Sequence, residues 1–224
     1  KPHGEYLYGE DDRVFTQLEL ERAIAQGTLG SFGRCVMIQC VGSRNEKRPY
    51  CSRVCCTTAI KNAITLKRKY PETDVAILYR DIRTYGFFEK YYLQARRLGV
   101  RFTRYDVEKP PVLQKKDGLL SLYCHDSSIM EELKFEADII VLSSAVIPED
   151  NEELATILKI PRTNEGFFLE AHMKLKPVDF VSDGIFLCGL AHSPKNIRES
   201  ITQAEAAIAR AVTILSKEKM NVGG

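Results

Sequence analysis

The 224-residue chain sets 32 Lys and Arg against 30 Asp and Glu, a formal net charge of +2, so it carries no basic footprint for nucleic acid and no polybasic membrane patch. Hydrophobic residues at 44% and charged residues at 28% suit a chain that buries a core, and they argue against a disordered, collagenous or coiled-coil one. No apolar run approaches the roughly 18–20 residues that span a bilayer, and the start, Lys1-Pro-His-Gly-Glu-Tyr6, lacks the apolar stretch of a secretion signal. The expectation is a cytoplasmic α/β protein.

In chain order, Cys35–Val41 reads as a short buried strand bounded by Gly33-Arg34 and Gly42-Ser43. A polar loop follows, and then Val54–Lys69 has helical spacing and ends before Pro71. Val75–Tyr79 is a second strand, Phe87–Leu98 a second helix closed by Gly99, and Val100–Arg104 a third strand. Strands alternating with helices of this length indicate βαβ units and a parallel sheet.

The rhythm then changes. Leu119–Cys124 and Leu133–Ala137 are short strands suited to an antiparallel excursion, and Ala137–Ser143 is apolar enough for the sheet interior. Glu152–Lys159 is a short helix, Arg162–Asp183 is irregular, and Gly184–Gly189 is predicted as a last strand. Ile197–Lys217 is a long Ala-rich helix with Ile201, Ala204, Ile208, Ala211, Val212 and Leu215 on one stripe. The tail from Met220 to Gly224 is predicted to be loose. Order and composition together predict a Rossmann-like parallel sheet over residues 33–148, with residues 1–32 and 149–224 belonging to a second body.

The seven cysteines are unevenly spread. An odd count without a secretion signal argues against a disulfide framework. Cys35, Cys124 and Cys188 stand in apolar runs and read as small buried hydrophobes. Cys40, Cys51, Cys55 and Cys56 crowd the first strand-to-helix turn, where a dinucleotide-binding domain would carry Gly-x-Gly-x-x-Gly. The turn reads Gly42-Ser-Arg-Asn-Glu-Lys-Arg-Pro-Tyr-Cys-Ser-Arg-Val-Cys-Cys56, so the glycines that admit a pyrophosphate are missing and a pyridine-nucleotide site is disfavoured. Four thiolates match the ligand count of a zinc ion or an iron–sulfur cluster. The adjacent pair Cys55-Cys56 favours the cluster, because neighbouring side chains diverge and reach separate irons more readily than one zinc. Zinc and a thiol redox site stay open on spacing alone. A vicinal Cys55-Cys56 disulfide would be strained.

Cys40-Val-Gly-Ser-Arg44, Tyr50-Cys-Ser-Arg-Val-Cys-Cys-Thr-Thr-Ala59, Asp81-Ile-Arg-Thr-Tyr-Gly86, Gly166–His172, Pro177–Phe186 and Gly189-Leu-Ala-His-Ser-Pro-Lys-Asn-Ile197 together resemble the A component of heterodisulfide reductase and its relatives in anaerobes. The resemblance covers nearly the whole chain. It implies a thioredoxin-reductase-like fold with a [4Fe–4S] cluster held by Cys40, Cys51, Cys55 and Cys56, and FAD on the second body. It implies electron relay between flavin and cluster inside a multisubunit redox complex, and a homodimer is one arrangement it allows. Gly189, Leu190, Pro194, Lys195 and Ile197 would face the flavin, with the Lys195 charge beside its N5 edge favouring the reduced anionic state.

Two family features do not occur in these residues: the FAD phosphate loop and the ferredoxin-type Cys-x-x-Cys runs. The stretch is expected to be part of a longer protein or a short paralogue with a partner, and to bind FAD weakly by itself. Its opening Tyr6–Gly9 and Val14–Glu21 is expected to be the tail of the flavin domain. His172 and His192 are candidate flavin neighbours that read more simply as structural. Arg44, Lys47, Arg48 and Arg53 would offset cluster charge. Tyr85, Phe87, Phe88, Tyr91 and Tyr92 are expected in core or interface. Arg80, Asp81 and Arg83 stand where a nucleotide ribose would be read, and without the glycine loop they are expected to be structural.

Overall fold

The computed structural model describes residue 2 and residues 4–217, and the chain divides into two compact units between Ala145 and Val146. The predicted loose tail lies outside the described residues. In the first unit, β1 (Val14–Thr16), α1 (Gln17–Gln26), β2 (Arg34–Val41), α2 (Cys55–Lys69), β3 (Asp74–Tyr79), α3 (Glu89–Arg97) and β4 (Arg101–Arg104) precede a meander of β5 (Val112–Lys116), β6 (Leu119–Asp126) and β7 (Glu131–Ala137). The chain then returns through β8 (Ile139–Ser144). The five-stranded sheet has the order β1-β8-β2-β3-β4 and every pairing is parallel. The meander is antiparallel.

Strand alternation splits the core in two, since successive side chains leave opposite faces. Val36, Ile38, Ile140, Leu142 and Leu78 meet Leu120, Leu122 and Phe135 of the meander. Cys35, Met37, Val141 and Ile77 meet Leu20 of α1, Ala59, Ile60 and Ala63 of α2, and Ala95 of α3. Each fully buried Leu or Ile in these layers is worth about 1.5–3 kcal/mol. The expected βαβ order, the antiparallel excursion and the interior place of β8 are all present.

Three elements were not foreseen. β5 is a polar edge strand, Val-Leu-Gln-Lys-Lys, with too little apolar pattern to announce itself. Val14–Thr16 pairs with β8, and α1 buries Leu20 in the sheet unit, so this segment joins the first unit by backbone pairing where the sequence had grouped it with the C-terminal body. Its three-residue strand is too short for a periodicity reading.

The second unit is loop-rich, with α4 (Glu152–Leu158), a 3-10 turn at Gly189–Ala191 and α5 (Ile197–Leu215). Ala155, Ile160, Phe168, Phe180 and Leu187 form its small core. The strand predicted over Gly184–Gly189 is absent. Only a single bridge, Asp179 to Phe186, forms there, because Leu187 turns into the small core and the segment finds no ladder partner. Cys188 is accordingly exposed, a correction to its reading as a buried hydrophobe, whereas Cys35 and Cys124 are buried as expected.

Candidate metal centre

The four clustered cysteines lie along the stretch where β2 ends and α2 begins, at the carboxyl end of a parallel sheet. β2 breaks register with β8 between Ile38 and Val41, and Cys40 at that break has φ of 61°. This is left-handed backbone, which costs a non-glycine residue on the order of 1–3 kcal/mol. Such a bulge re-aims a side chain out of the strand's alternation. Arg44 and Arg53 repeat the left-handed geometry at φ of 57° and 62°, so the loop turns sharply twice more before α2.

The loop is tied internally. Ser43 N–H donates to the Cys40 carbonyl, Arg44 N–H to the Tyr50 carbonyl, and Asn45 N–H to the Arg48 carbonyl. Arg53 N–H donates to Cys51 Sγ at 3.3 Å, and Cys56 Sγ donates to the Asp81 carbonyl at 3.6 Å. Cys40, Cys55 and Cys56 are buried and Cys51 is half-buried. Val54 gives α2 no side-chain cap, so Cys55 and Cys56 sit in the first turn at the positive end of the helix dipole.

The thiols sense one another. A hydrogen bond with Cys56, then burial, pushes the Cys55 pKa up. The same hydrogen bond pulls Cys56 down to about 7 against its burial, helped by the charges of Arg83 and Arg44. Burial and the neighbouring Cys56 raise Cys40, opposed by Arg44 and Arg80. Among the described residues no three His, Cys, Asp or Glu side chains stand close enough to share one metal ion. A cubane spreads its ligands further, since each sulfur meets a different iron.

The surroundings fit an acceptor-rich, negatively charged group. Arg44 Nη1, Arg80 Nε and both amide atoms of Gln39, the residue before Cys40, are buried without a hydrogen-bond partner. Orphaned buried donors are rare because each costs about 1–3 kcal/mol. Cluster sulfides would accept from them.

Arg80, Asp81 and Arg83, expected to be structural, brace this loop. Asp81 pairs with Arg44 at 2.7 Å and with Arg83 at 3.6 Å, and Arg80 Nη1 donates to the Arg44 carbonyl at 2.6 Å. They follow β3, whose carboxyl end opens on the same crevice as the β2–α2 turn. That topological signal was available in the sequence. Among the other basic residues, Lys47 is exposed and Arg48 Nη1 donates to the Gly42 carbonyl. Arg53 reaches the Tyr85 hydroxyl at 3.1 Å. Tyr92 packs in the core against Phe102, while Tyr85, Phe87 and Tyr91 are exposed.

In the second unit, Gly189 N–H donates to Gln203 Oε1 at 2.8 Å, fixing that amide so that Nε2 donates to His192 Nδ1 at 2.7 Å. Lys195 Nζ also approaches His192 Nδ1 at 3.2 Å and bonds Ser193 Oγ at 2.5 Å. With Nδ1 accepting, the neutral His192 ring carries its proton on Nε2 and donates to Glu170 at 2.8 Å. Pro194 is buried, whereas Leu190 and Ile197 are exposed. The structure therefore gathers Gly189, His192 and Lys195 into one network that the sequence did not reveal. His172 lies apart, its Nδ1 accepting from the Lys174 and Leu175 amides of a local turn.

No family model matches the chain. It is 43% identical over 182 residues to the A component of the ferredoxin:CoB-CoM heterodisulfide reductase of Methanosarcina acetivorans, covering 80% of this chain and 22% of that protein. It is 40% identical over 237 residues to the second of the iron–sulfur A components of the CoB–CoM heterodisulfide reductase of Methanopyrus kandleri, covering 97% of this chain and 36% of that one. The chain thus spans well under half the length of these curated relatives. Thioredoxin reductase of Lactococcus lactis superposes with a TM-score of 0.57 at 16% identity, covering 95% of this chain and 61% of that structure, a likeness of fold.

Proposed function

From the premise that the chain is a homologue of one segment of the heterodisulfide reductase A component, we propose that it is an electron-transfer module of a multisubunit oxidoreductase. Cys40, Cys51, Cys55 and Cys56 would hold a [4Fe–4S] cluster, and the second unit would supply a flavin-facing surface. When bound, the cluster supplies one-electron chemistry. The observation that carries the reading is a thiol quartet at a helix start, three of its members buried, with Arg44 and Arg80 acting on Cys40 while each keeps one buried nitrogen unpaired.

The chain's own residues then have separable tasks. Cys40 would offer its thiol from the left-handed turn that ends β2, and Cys55 and Cys56 would offer theirs from the first turn of α2. The hydrogen bond from Cys55, with the Arg83 and Arg44 charges, favours thiolate at Cys56, the form that binds metal. Arg53 N–H already donates to Cys51 Sγ. Asp81 holds Arg44 and Arg83 in place. In the second unit, Lys195 brings a positive charge to the turn before α5, where it would favour a reduced anionic flavin, with Gly189, Leu190, Pro194 and Ile197 beside it.

One observation favours a second reading. The Cys55–Cys56 hydrogen bond and the lowered Cys56 pKa are what a reactive dithiol needs, as in a flavin-dependent disulfide reductase. A zinc-bound scaffold would need four thiolates around one point, a grouping not found among the described residues. Anaerobic purification or reconstitution separates the three. The relay predicts brown protein with about four irons and four sulfides per chain. Iron-free protein whose two thiols titrate reversibly would establish the dithiol, and one tightly held zinc the scaffold.

A further inference from the structure

Two arginines at the thiol crevice hold buried donors that the chain leaves unused. Arg44 commits Nη2 to Asp81 at 2.7 Å, while its Nη1 is buried without a partner. Arg80 commits Nη1 to the Arg44 carbonyl at 2.6 Å and sets its guanidinium carbon 5.6 Å from the Tyr105 ring centroid, leaving Nε buried and unpaired. Both guanidinium groups are thus fixed by other contacts, with one donor each to spare, and both act electrostatically on the Cys40 thiol. The remaining basic residues of the loop are placed differently: Lys47 is exposed, Arg48 bonds Gly42, and Arg53 bonds Tyr85.

We propose that Arg44 and Arg80 set the reduction potential of the cluster by donating N–H bonds to sulfur on its Cys40 side, and that Lys47 has no part in it. This deepens the cluster reading and rests on it. An electron taken from a redox mediator adds one negative charge at the sulfurs, with no bond broken and no proton moved. Charge-assisted donors held in a buried site stabilise that added charge and raise the potential. Guanidinium suits the task better than ammonium, since one N–H can be anchored while another points elsewhere in a fixed plane.

The test is potentiometry followed by electron paramagnetic resonance on anaerobically reconstituted chain, with iron and sulfide measured on every sample. Arg44→Gln and Arg80→Gln are expected to retain wild-type iron. Each should lower the reduced-to-oxidised ratio at a fixed poise by about tenfold, which is about 59 mV for one electron. Arg80→Lys, which keeps the charge and loses the planar fork, should fall between Arg80→Gln and wild type, and it carries the test if a glutamine variant loses its fold by circular dichroism. Lys47→Ala should leave the potential in place. Fully loaded arginine variants with unmoved potentials and unchanged spectra would overturn the proposal, as would an equal shift in Lys47→Ala. A wild-type chain that takes up no cluster at all would instead overturn the reading beneath it.

Discussion

The helix that begins at the cysteines and the helix that begins after Lys195 start in opposite ways. α5 opens with a complete capping box, in which the Asn196 side chain accepts from Glu199 N–H and the Glu199 side chain accepts from Asn196 N–H. α1 does the same with Thr16 and Glu19. α2 opens at Val54, which has helical backbone angles and no side-chain acceptor. α3 and α4 also begin without a side-chain cap, at Phe88 and Asn151, so the missing cap is not peculiar to the cysteines. What sets α2 apart is the pair of buried thiols in its first turn. The Gly189–Gln203–His192–Glu170 network of the second unit is closed, whereas Arg44 and Arg80 in the first leave buried donors open, although Thr163 Oγ1 in the second is also unpaired.

The largest effect expected from this contrast is on metal content. Cys51→Ala should abolish iron uptake by anaerobic protein, whereas Lys195→Ala should leave the iron content unchanged, and a fully loaded Cys51→Ala protein would break the ligand assignment. Capping gives a smaller, purely structural measure. Asn196→Ala and Thr16→Ala should each lose about 1 kcal/mol in chemical denaturation, whereas Val54→Ser should stay within about 0.5 kcal/mol because helical angles at Val54 prevent a serine there from capping.

A buried bond behind the site comes next. Tyr105 O–H donates to the Gln39 carbonyl at 2.6 Å, and Tyr105→Phe should lose about 1 kcal/mol without loss of iron.

The smallest effect is pH-dependent. Burial pushes the Glu170 pKa up, but its backbone hydrogen bond, the His192 ring and the Lys195 charge outweigh this and hold it below 4.5. A depressed carboxyl contributes stability that is complete above its unfolded pKa and is lost as pH falls through the folded one. Denaturation midpoints measured from pH 6 down to pH 3 should therefore fall more steeply in wild type than in Glu170→Gln.

The parallel sheet was legible because its strands are continuous apolar runs and its helices keep a 3.6-residue stripe. β2 and β8 could be placed from composition alone, and the thiol quartet stood out against missing glycines. The rest was hidden for identifiable reasons. The left-handed backbone at Cys40 has no sequence signature in a non-glycine residue. The role of Asp81 as brace for Arg44 depends on two loops meeting in space across 37 residues of chain, a separation no local pattern records. Cys188 misled because an apolar hexamer reads alike whether or not a partner strand exists to accept it. α5 carries the expected apolar stripe, yet Ile201, Ile208, Val212 and Leu215 are exposed on it and only Ala207 of the helix is buried.

The left-handed angle at Cys40 also ties stability to chemistry at a single position. Glycine is the residue that this backbone accepts without penalty. Under the proposed ligand assignment, Cys40→Gly would relieve backbone strain and remove a cluster ligand in the same step.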